Sequence, residues 1–269
     1  MSDSSIINGV EMANMKKVNG ATVQEAILLT EIDFTALDSD DWIGESSVSL
    51  DGRTWDILNS SNANTLGPNG STLVLHPKGT GVCDWYASNR TSPGLAIDLS
   101  DLDPRLDDSA RYAVQIITPG FQSVVQQYAR LLLGFYNTAS TARGYGPVFG
   151  LQYHSGANKL YWIQGSNNEA STSTGFTGSE QTFWVHLESN GLWTCYTSDA
   201  QDTTVGGGTK RGTVWASIPS VNVHGVGADI STGLLTKPST ARVVLTACGY
   251  NGVSTGPTLN IDSLRVWRV

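Results

Sequence analysis

Among the residue types that could perform catalysis, the spacing offers one near match to a known arrangement, a pair of carboxylates. Glu31 and Asp33 are separated by one residue, so on a strand they would share a face, as the paired carboxylates of glycoside hydrolysis must. None of the histidines stands in a GxSxG or HExxH motif. They are His76, His154, His186 and His224. We expect His186 to be a solvated strand residue, because Val185 and Leu187 would take the opposite face.

Acidic clusters are candidates for calcium, which prefers oxygen ligands. Asp38, Asp40 and Asp41 crowd together, and a second acidic group extends from Asp98 to Asp108. The alternative for both is a solvated acidic turn that caps strands or a short helix. The three cysteines are far apart, which predicts buried thiols rather than a disulfide framework or a zinc site.

Aromatic side chains among Asn, Gln, Ser and Thr are candidates for binding sugars, whose C–H faces stack on Trp and Tyr. The candidates are Trp85, Tyr145, Tyr153, Trp162 and Trp193. Adjacent aromatics on a strand face opposite ways, so one member of Trp85-Tyr86 and one of Tyr161-Trp162 should lie in the core. Core or subunit-interface packing is the alternative for the whole set. Five further tryptophans are expected in the core: Trp42, Trp55, Trp184, Trp215 and Trp267.

Strands must position most of these residues. From Phe34 onwards, runs rich in β-branched and aromatic residues alternate with clusters of Gly, Asn, Ser and Asp, a pattern typical of antiparallel sheets. Asp51-Gly52, residues 155–158 and Asn190-Gly191 are turn signals between alternating runs. Residues 122–131 fit either a helix or a strand. The pattern predicts an all-β fold, an antiparallel two-sheet sandwich over residues 31–269.

Residues 1–30 differ from the rest and are interpreted as an extended N-terminal arm. Ile7-Asn8-Gly9 is followed eleven residues later by Val18-Asn19-Gly20, and Asn-Gly favours tight turns. We therefore predict short extended pieces joined by turns. Because thirty residues cannot bury a core alone, the arm must pack on the domain, a sister subunit or a partner. The predicted anchoring residues are Ile7, Asn8, Gly9, Val10, Met12, Met15, Val18, Asn19 and Gly20.

Composition excludes several classes of function. The chain has 269 residues, 15% of them charged, and a formal net charge of −8. Its basic residues are scattered, which disfavours a protein that tracks nucleic-acid phosphates. No apolar run approaches the ~18 residues of a membrane span, and the first residues lack the features of a secretory signal. We expect neither nucleic-acid binding nor membrane insertion.

The domain resembles the concanavalin-A-like jelly-roll superfamily, which includes laminin-G-like lectins, carbohydrate-binding modules and laminarinase-type hydrolases. The matching segments are EIDFTALDSDDW (31–42), FWVHLESNGLWTCYTSD (183–199) and LNIDSLRVWRV (259–269). The resemblance implies that the first and last strands are neighbours, with a structural calcium at Asp38, Asp40 and Asp262 and no other cofactor. Hydrolases of the superfamily carry a further catalytic carboxylate where this chain has Thr35, so no enzyme is expected.

The arm segment INGVEMANMKKVNG (7–20) resembles short repeats near the beginnings of phage virion proteins such as decoration proteins, head fibres and tail fibres. The resemblance implies a non-enzymatic structural protein of the virion surface, assembled in the host cytoplasm and anchored by its arm. Its implied partners are further copies of itself, other virion proteins such as capsid or tail, and a host glycan. The expected assembly of the copies is a trimer. The alternative is a carbohydrate-binding module or glycoside hydrolase-like protein.

Overall fold

Antiparallel strands form nearly all of the regular structure. A computed structural model describes residues 6–7, 10–11, 16–18, 21–23, 26–78, 92–119, 129–137, 147–154, 157–164, 168–172, 181–187, 193–198, 209–210, 238–249 and 258–269. The predicted turn residues Asn190 and Gly191, the first part of the 122–131 segment, and Trp215 lie outside these ranges. No helix within the described ranges has the length and apolarity needed to cross a membrane.

The described strands are numbered along the chain. They are β1 (Ile6–Ile7), β2 (Val10–Glu11), β3 (Lys16–Val18), β4 (Ala21–Val23), β5 (Ile27–Asp33), β6 (Ser47–Leu50), β7 (Arg53–Leu58), β8 (Ala63–Pro68), β9 (Leu73–Pro77), β10 (Gly94–Asp98), β11 (Tyr112–Ile117), β12 (Ala129–Asn137), β13 (Pro147–His154), β14 (Ala157–Gln164), β15 (Asn168–Thr172), β16 (Thr182–Leu187), β17 (Trp193–Ser198), β18 (Thr209–Lys210), β19 (Ala241–Gly249), β20 (Leu259–Ile261) and β21 (Ser263–Arg268). One short helix, α1, spans Leu99–Leu102.

Two large sheets make up the body of the domain. The first has eight strands in the order β15-β14-β13-β12-β19-β10-β7-β6, and the second has six in the order β18-β17-β16-β11-β21-β5. A third sheet has three strands in the order β20-β9-β8. Its strand β20 is separated from β21 by a single residue. Every described pairing within these sheets is antiparallel. The predicted all-β, antiparallel two-sheet jelly-roll sandwich is confirmed, as is the pairing of the first and last strands of the domain, β5 and β21.

Alternate residues of the two large sheets meet in a shared core. Trp55 and Leu245 come from the eight-stranded sheet, and Tyr112 and Val185 from the six-stranded sheet; all four are at most 1% exposed. Burying an aliphatic or aromatic side chain of this size contributes about 1.5–3 kcal/mol relative to leaving it exposed. Burial of the side chains that alternate towards the core therefore makes the main contribution to stability.

Hairpin turns predicted from sequence join the strands. Leu50 pairs with Arg53, so Asp51 and Gly52 connect β6 and β7. Their φ angles are +50° and +68°, the conformation that a tight hairpin turn demands and that Asp-Gly adopts readily. The pairing of His154 with Ala157 likewise confirms the hairpin between β13 and β14.

The outward face of the six-stranded sheet departs from the sequence prediction at one position. Phe183, Val185 and Leu187 face the core as predicted, but His186 is only 2% exposed, so its prediction as a solvated residue is wrong. It lies beside Trp184, with ring centroids 6.0 Å apart. Period-two alternation identifies which residues share a face, but it does not reveal whether other parts of the chain cover that face.

A buried carboxylate fixes the turn before β11. Asp103, which follows α1, is 1% exposed. Its Oδ2 accepts a hydrogen bond from the Tyr112 hydroxyl at 2.9 Å, and its Oδ1 accepts one from the Arg105 backbone N–H at 2.9 Å. Arg268 of β21 places Nη1 3.4 Å from the same carboxylate. A charge buried to this degree requires such partners, because it has lost its hydration.

Tyr112→Phe is expected to lower the free energy of unfolding by about 1–3 kcal/mol, because it leaves a buried acceptor with one donor fewer. Urea unfolding at neutral pH measures the change. Ser239→Ala is the control, since it removes an exposed hydroxyl that donates to Asp108 at 2.9 Å and should change stability by less than about 0.5 kcal/mol. Equal effects of the two substitutions would contradict the role of the Asp103 site.

Alkaline pH provides a second test of Tyr112. Burial, reinforced by the hydrogen bond to Asp103, raises the pKa of Tyr112 to about 12. An unfolded tyrosine ionises near pH 10, so the unfolded chain releases this proton first and stability falls as pH rises from about 10 to about 12. The wild-type protein should therefore lose more stability in this range than Tyr112→Phe. Parallel urea-unfolding curves below and within the range would show whether the difference exists.

Candidate functional site

The arm contains two short hairpins with the same register. Ile7 pairs with Val10 in β1 and β2, and Val18 pairs with Ala21 in β3 and β4. The prediction of short extended pieces is confirmed. The remaining predicted anchoring residues lie outside the described ranges: Asn8, Gly9, Met12, Met15, Asn19 and Gly20.

The residue pair next to the turn has the same character in both hairpins, as well as the same register. Ile7 and Val10 correspond to Val18 and Ala21, so each hairpin has one cross-strand pair of apolar residues next to its turn. Among the described strands, each hairpin forms its own two-stranded sheet and joins neither large sheet nor the three-stranded sheet. The repeat seen in the sequence is therefore a structural repeat.

The arm enters the domain through β5, the edge strand of the six-stranded sheet. β5 begins at Ile27, so the predicted boundary between residues 30 and 31 falls within this strand; the division into arm and domain stays a prediction. The register with β21 shifts between Val266 and Trp267. Leu28, which pairs with Trp267, is 40% exposed and is one of the two large hydrophobic side chains in the described residues that are this exposed.

The two carboxylates of β5 are each held by neighbours. Glu31 Oε1 lies 2.6 Å from Nη2 of Arg265 and also accepts a bond from its Nε. Asp33 Oδ1 accepts bonds from the Thr35 backbone N–H at 3.0 Å and hydroxyl at 2.6 Å, which caps the 3-10 turn Phe34–Ala36. Both carboxylates thus have structural partners, and the absence of enzymatic activity stays a prediction.

Two side chains that the sequence analysis did not single out for a contact reach the outer edge of β5. Asp51 Oδ2 accepts bonds from the Thr30 hydroxyl at 2.7 Å and the Glu31 backbone N–H at 3.3 Å. Arg53 Nη2 donates to the backbone carbonyl of Leu29 at 3.1 Å. Asp51-Gly52 signalled a turn, but no local pattern could reveal that this turn touches the other sheet.

The predicted calcium ligands are not gathered into one cluster. Asp38 is exposed, and Asp40 accepts a bond from Trp42 Nε1 at 3.0 Å. Asp262 lies near Asp33; burial, followed by the repulsion from Asp33, raises its pKa. Within the described residues, no group of three or more His, Cys, Asp or Glu side chains is arranged to hold a metal. Calcium binding stays a prediction.

A charged cluster missed by the sequence analysis lies on the eight-stranded sheet. Arg242 of β19 pairs with Asp56 of β7 and, at 3.2 Å between Nε and Oδ1, with Asp98 of β10. Burial raises the pKa of Asp98, and the charge of Asp101 raises it further. These residues are far apart in sequence, so only the strand order brings them together. The cluster joins three neighbouring strands.

The strand register sorts the aromatic glycan candidates. Trp85 and Tyr145 lie outside the described residues. Tyr153 and Trp162 occupy positions on the same face as Leu133, which packs in the core, whereas Tyr161 occupies the opposite face.

Trp193 is aligned with Leu187, a core residue of the six-stranded sheet. Three predicted glycan positions therefore fall on core-side registers, and one aromatic neighbour, Tyr161, falls on the outward side. Glycan binding by the predicted residues stays a prediction.

No protein-family model matches the chain, and no curated protein matches it. Among solved structures, the chain is similar to the Emp47p carbohydrate recognition domain, with 10% sequence identity and a TM-score of 0.37. The similarity covers 93% of this chain and 99% of that one. Because the TM-score is this low, no ligand or partner is transferred from that protein to this chain.

Proposed function

We propose that this chain is a non-enzymatic structural protein of a phage particle, displayed on the virion surface as capsid decoration or as a fibre. The arm docks on capsid or tail proteins, and the sandwich is presented outwards. Several copies associate, and a trimer is the assembly to test first. Assembly takes place in the host cytoplasm.

The observation that supports this proposal is the repeated hairpin of the arm. Ile7 and Val10 recur as Val18 and Ala21 in the same register, and within the described strands neither hairpin pairs with another sheet. An isolated two-stranded hairpin is marginally stable at best in water. Two equivalent hairpins in succession thus favour a partner that offers repeated binding surfaces, as a particle built from identical subunits does.

Apolar burial would supply the docking energy. The apolar residues proposed to dock on a partner are Ile6, Ile7, Val10, Met12, Met15, Val18, Ile27 and Leu28. Each side chain that becomes fully buried on a partner contributes about 1.5–3 kcal/mol before the entropy of ordering the arm is subtracted. A few such residues are sufficient for stable attachment, and repetition of the contact on one particle adds avidity.

Deletion of residues 1–25 should abolish incorporation into particles while leaving the domain folded, because β5 begins at Ile27 and keeps its pairing with β21. The measurement is quantitative mass spectrometry of purified particles assembled with the deleted chain, alongside its thermal unfolding. Normal incorporation of a folded deletion variant would overturn the proposal.

A matched pair of arm variants refines this test. Ile7→Asp with Val18→Asp places charges at the two equivalent apolar positions and should reduce incorporation. Glu11→Gln with Lys17→Gln alters the other register positions and should have little effect. The non-enzymatic part of the proposal has its own test: turnover of a β-glucan that Asp33→Asn abolishes would contradict it.

Host-glycan binding is a second candidate activity, favoured by one feature of the eight-stranded sheet. Tyr161 of β14 is aligned with Gly150 of β13 on the outward face. A tyrosine aligned with a glycine is a candidate for stacking on the face of a sugar, because glycine adds no side chain beside it. Saccharide recognition at this position would agree with display on a particle surface, where many weak contacts act together.

Tyr161→Ala should reduce binding to a glycan array at least tenfold without lowering the melting temperature, because stacking on the outward face would be lost. Trp162→Ala is the matched control, as its position lies on the core-side face; we expect it to lower the melting temperature instead. Binding that survives Tyr161→Ala, or a wild-type protein that binds no glycan on the array, would contradict this candidate activity.

A further inference from the structure

We propose that Asp51 and Arg53 form a side-chain cap on the edge of β5, and that this cap prevents β5 from pairing with β5 of a second copy of the chain. The cap is defined as these two side chains together with their bonds to Leu29, Thr30 and Glu31. The inference concerns the domain and is independent of whether the arm docks on a particle.

Among the described edge strands of the two large sheets, β5 is the one with the greatest capacity for such pairing. It has seven residues, whereas β15 has five, β6 has four and β18 has two. A long edge strand offers backbone N–H and C=O groups to any other strand. Two copies of one strand pair antiparallel about a twofold axis, so β5 is complementary to itself.

The cap occupies two of the backbone groups that a second strand would need. The Asp51 carboxylate accepts from the Glu31 N–H at 3.3 Å, as a strand carbonyl would. The Arg53 guanidinium donates to the Leu29 carbonyl at 3.1 Å, as a strand N–H would. One side chain thus replaces an acceptor and the other a donor, and both sit on the same outer edge.

The bond from Thr30 and two further contacts hold the cap in place. Asp51 also accepts from the Thr30 hydroxyl at 2.7 Å, and Thr30 is 2% exposed. Arg53 Nη1 donates to the carbonyl of Asp101, in the last turn of α1, at 2.7 Å. Pairing of Leu50 with Arg53 fixes the turn between β6 and β7. The edge hairpin of the eight-stranded sheet therefore closes the edge of the six-stranded sheet.

If the proposed function is correct, the cap prevents displayed copies from pairing with each other through β5. Copies displayed on one particle have a high local concentration of identical β5 edges. An unprotected β5 would therefore pair with β5 of a neighbouring copy, close to the start of the arm. The cap would restrict contacts between copies to those made elsewhere. This consequence rests on the proposed function, but the cap itself does not.

The test removes the cap and measures association of the full chain. Asp51→Gly is chosen because glycine keeps the positive φ of +50°, and it is combined with Arg53→Gln. Light scattering after size exclusion should show a doubled mass relative to the wild-type assembly at the same concentration. Hydrogen exchange should show that the amides of β5 become protected in the associated form.

Two further variants identify the interface. Adding Glu31→Pro to the double variant removes an N–H on the outer edge and should restore the wild-type mass, since proline is tolerated on edge strands but blocks pairing. Glu31→Gln in the wild-type chain weakens the contact with Arg265 on the sheet face and should leave the mass unchanged.

The proposal is overturned if the double variant keeps the wild-type mass. It is equally overturned if the association persists with Glu31→Pro, because the contact then lies elsewhere. Should Asp51→Gly unfold the domain, Arg53→Gln alone, which leaves the turn intact, must show the partial increase in mass. Failure of the arm deletion to affect particles would refute the proposed function without bearing on these results.

Discussion

The pairing of β5 with β21 is the interaction on which the rest of the structure depends. β21 lies between β5 and β11, so it holds the edge strand against the centre of the six-stranded sheet. The same pairing aligns Glu31 with Arg265. At its far end, β21 supplies Arg268 to the buried carboxylate of Asp103. One strand thus connects the arm, the sheet and the turn before β11.

Polar side chains replace backbone hydrogen-bonding partners at two places, the outer edge of β5 and the turn contacted by the end of β21. Asp51 and Arg53 complete the outer edge of β5, and Asp103 accepts a backbone N–H beyond α1. In each case a carboxylate satisfies a donor that would otherwise lack a strand or helix partner. Sandwich sheets need such contacts where regular pairing ends, because unsatisfied backbone groups are costly once they lose water.

Local patterns in the sequence were sufficient for the fold class and for several turns. Asp51-Gly52 predicted a hairpin because these two residue types readily adopt the positive φ of a tight turn. In the same way, the repeated Asn-Gly predicted short extended pieces joined by turns in the arm. Alternation predicted the inward face of β16 correctly at Val185. It failed at His186, whose burial depends on what covers the outward face.

Contacts between residues far apart in sequence could not be predicted from local sequence patterns. The cluster of Arg242, Asp56 and Asp98 requires the order β7-β10-β19, which no periodicity encodes. The same limit applies to the glycan candidates, because a face can be assigned only after the register between β13 and β14 is known. The contact of Arg268 in β21 with the buried Asp103 likewise joins residues far apart along the chain.

The distance along the chain between β5 and its strand partner has a consequence for biosynthesis. Glu31 and Arg265 are 234 positions apart, so at 5–20 residues per second the ribosome needs on the order of ten to fifty seconds to supply β21 after β5 has been made. Asp51 and Arg53 are synthesised almost at once, 20 to 24 positions after the groups they contact. During translation, therefore, the outer edge of β5 can acquire its protecting side chains long before the inner edge acquires its strand.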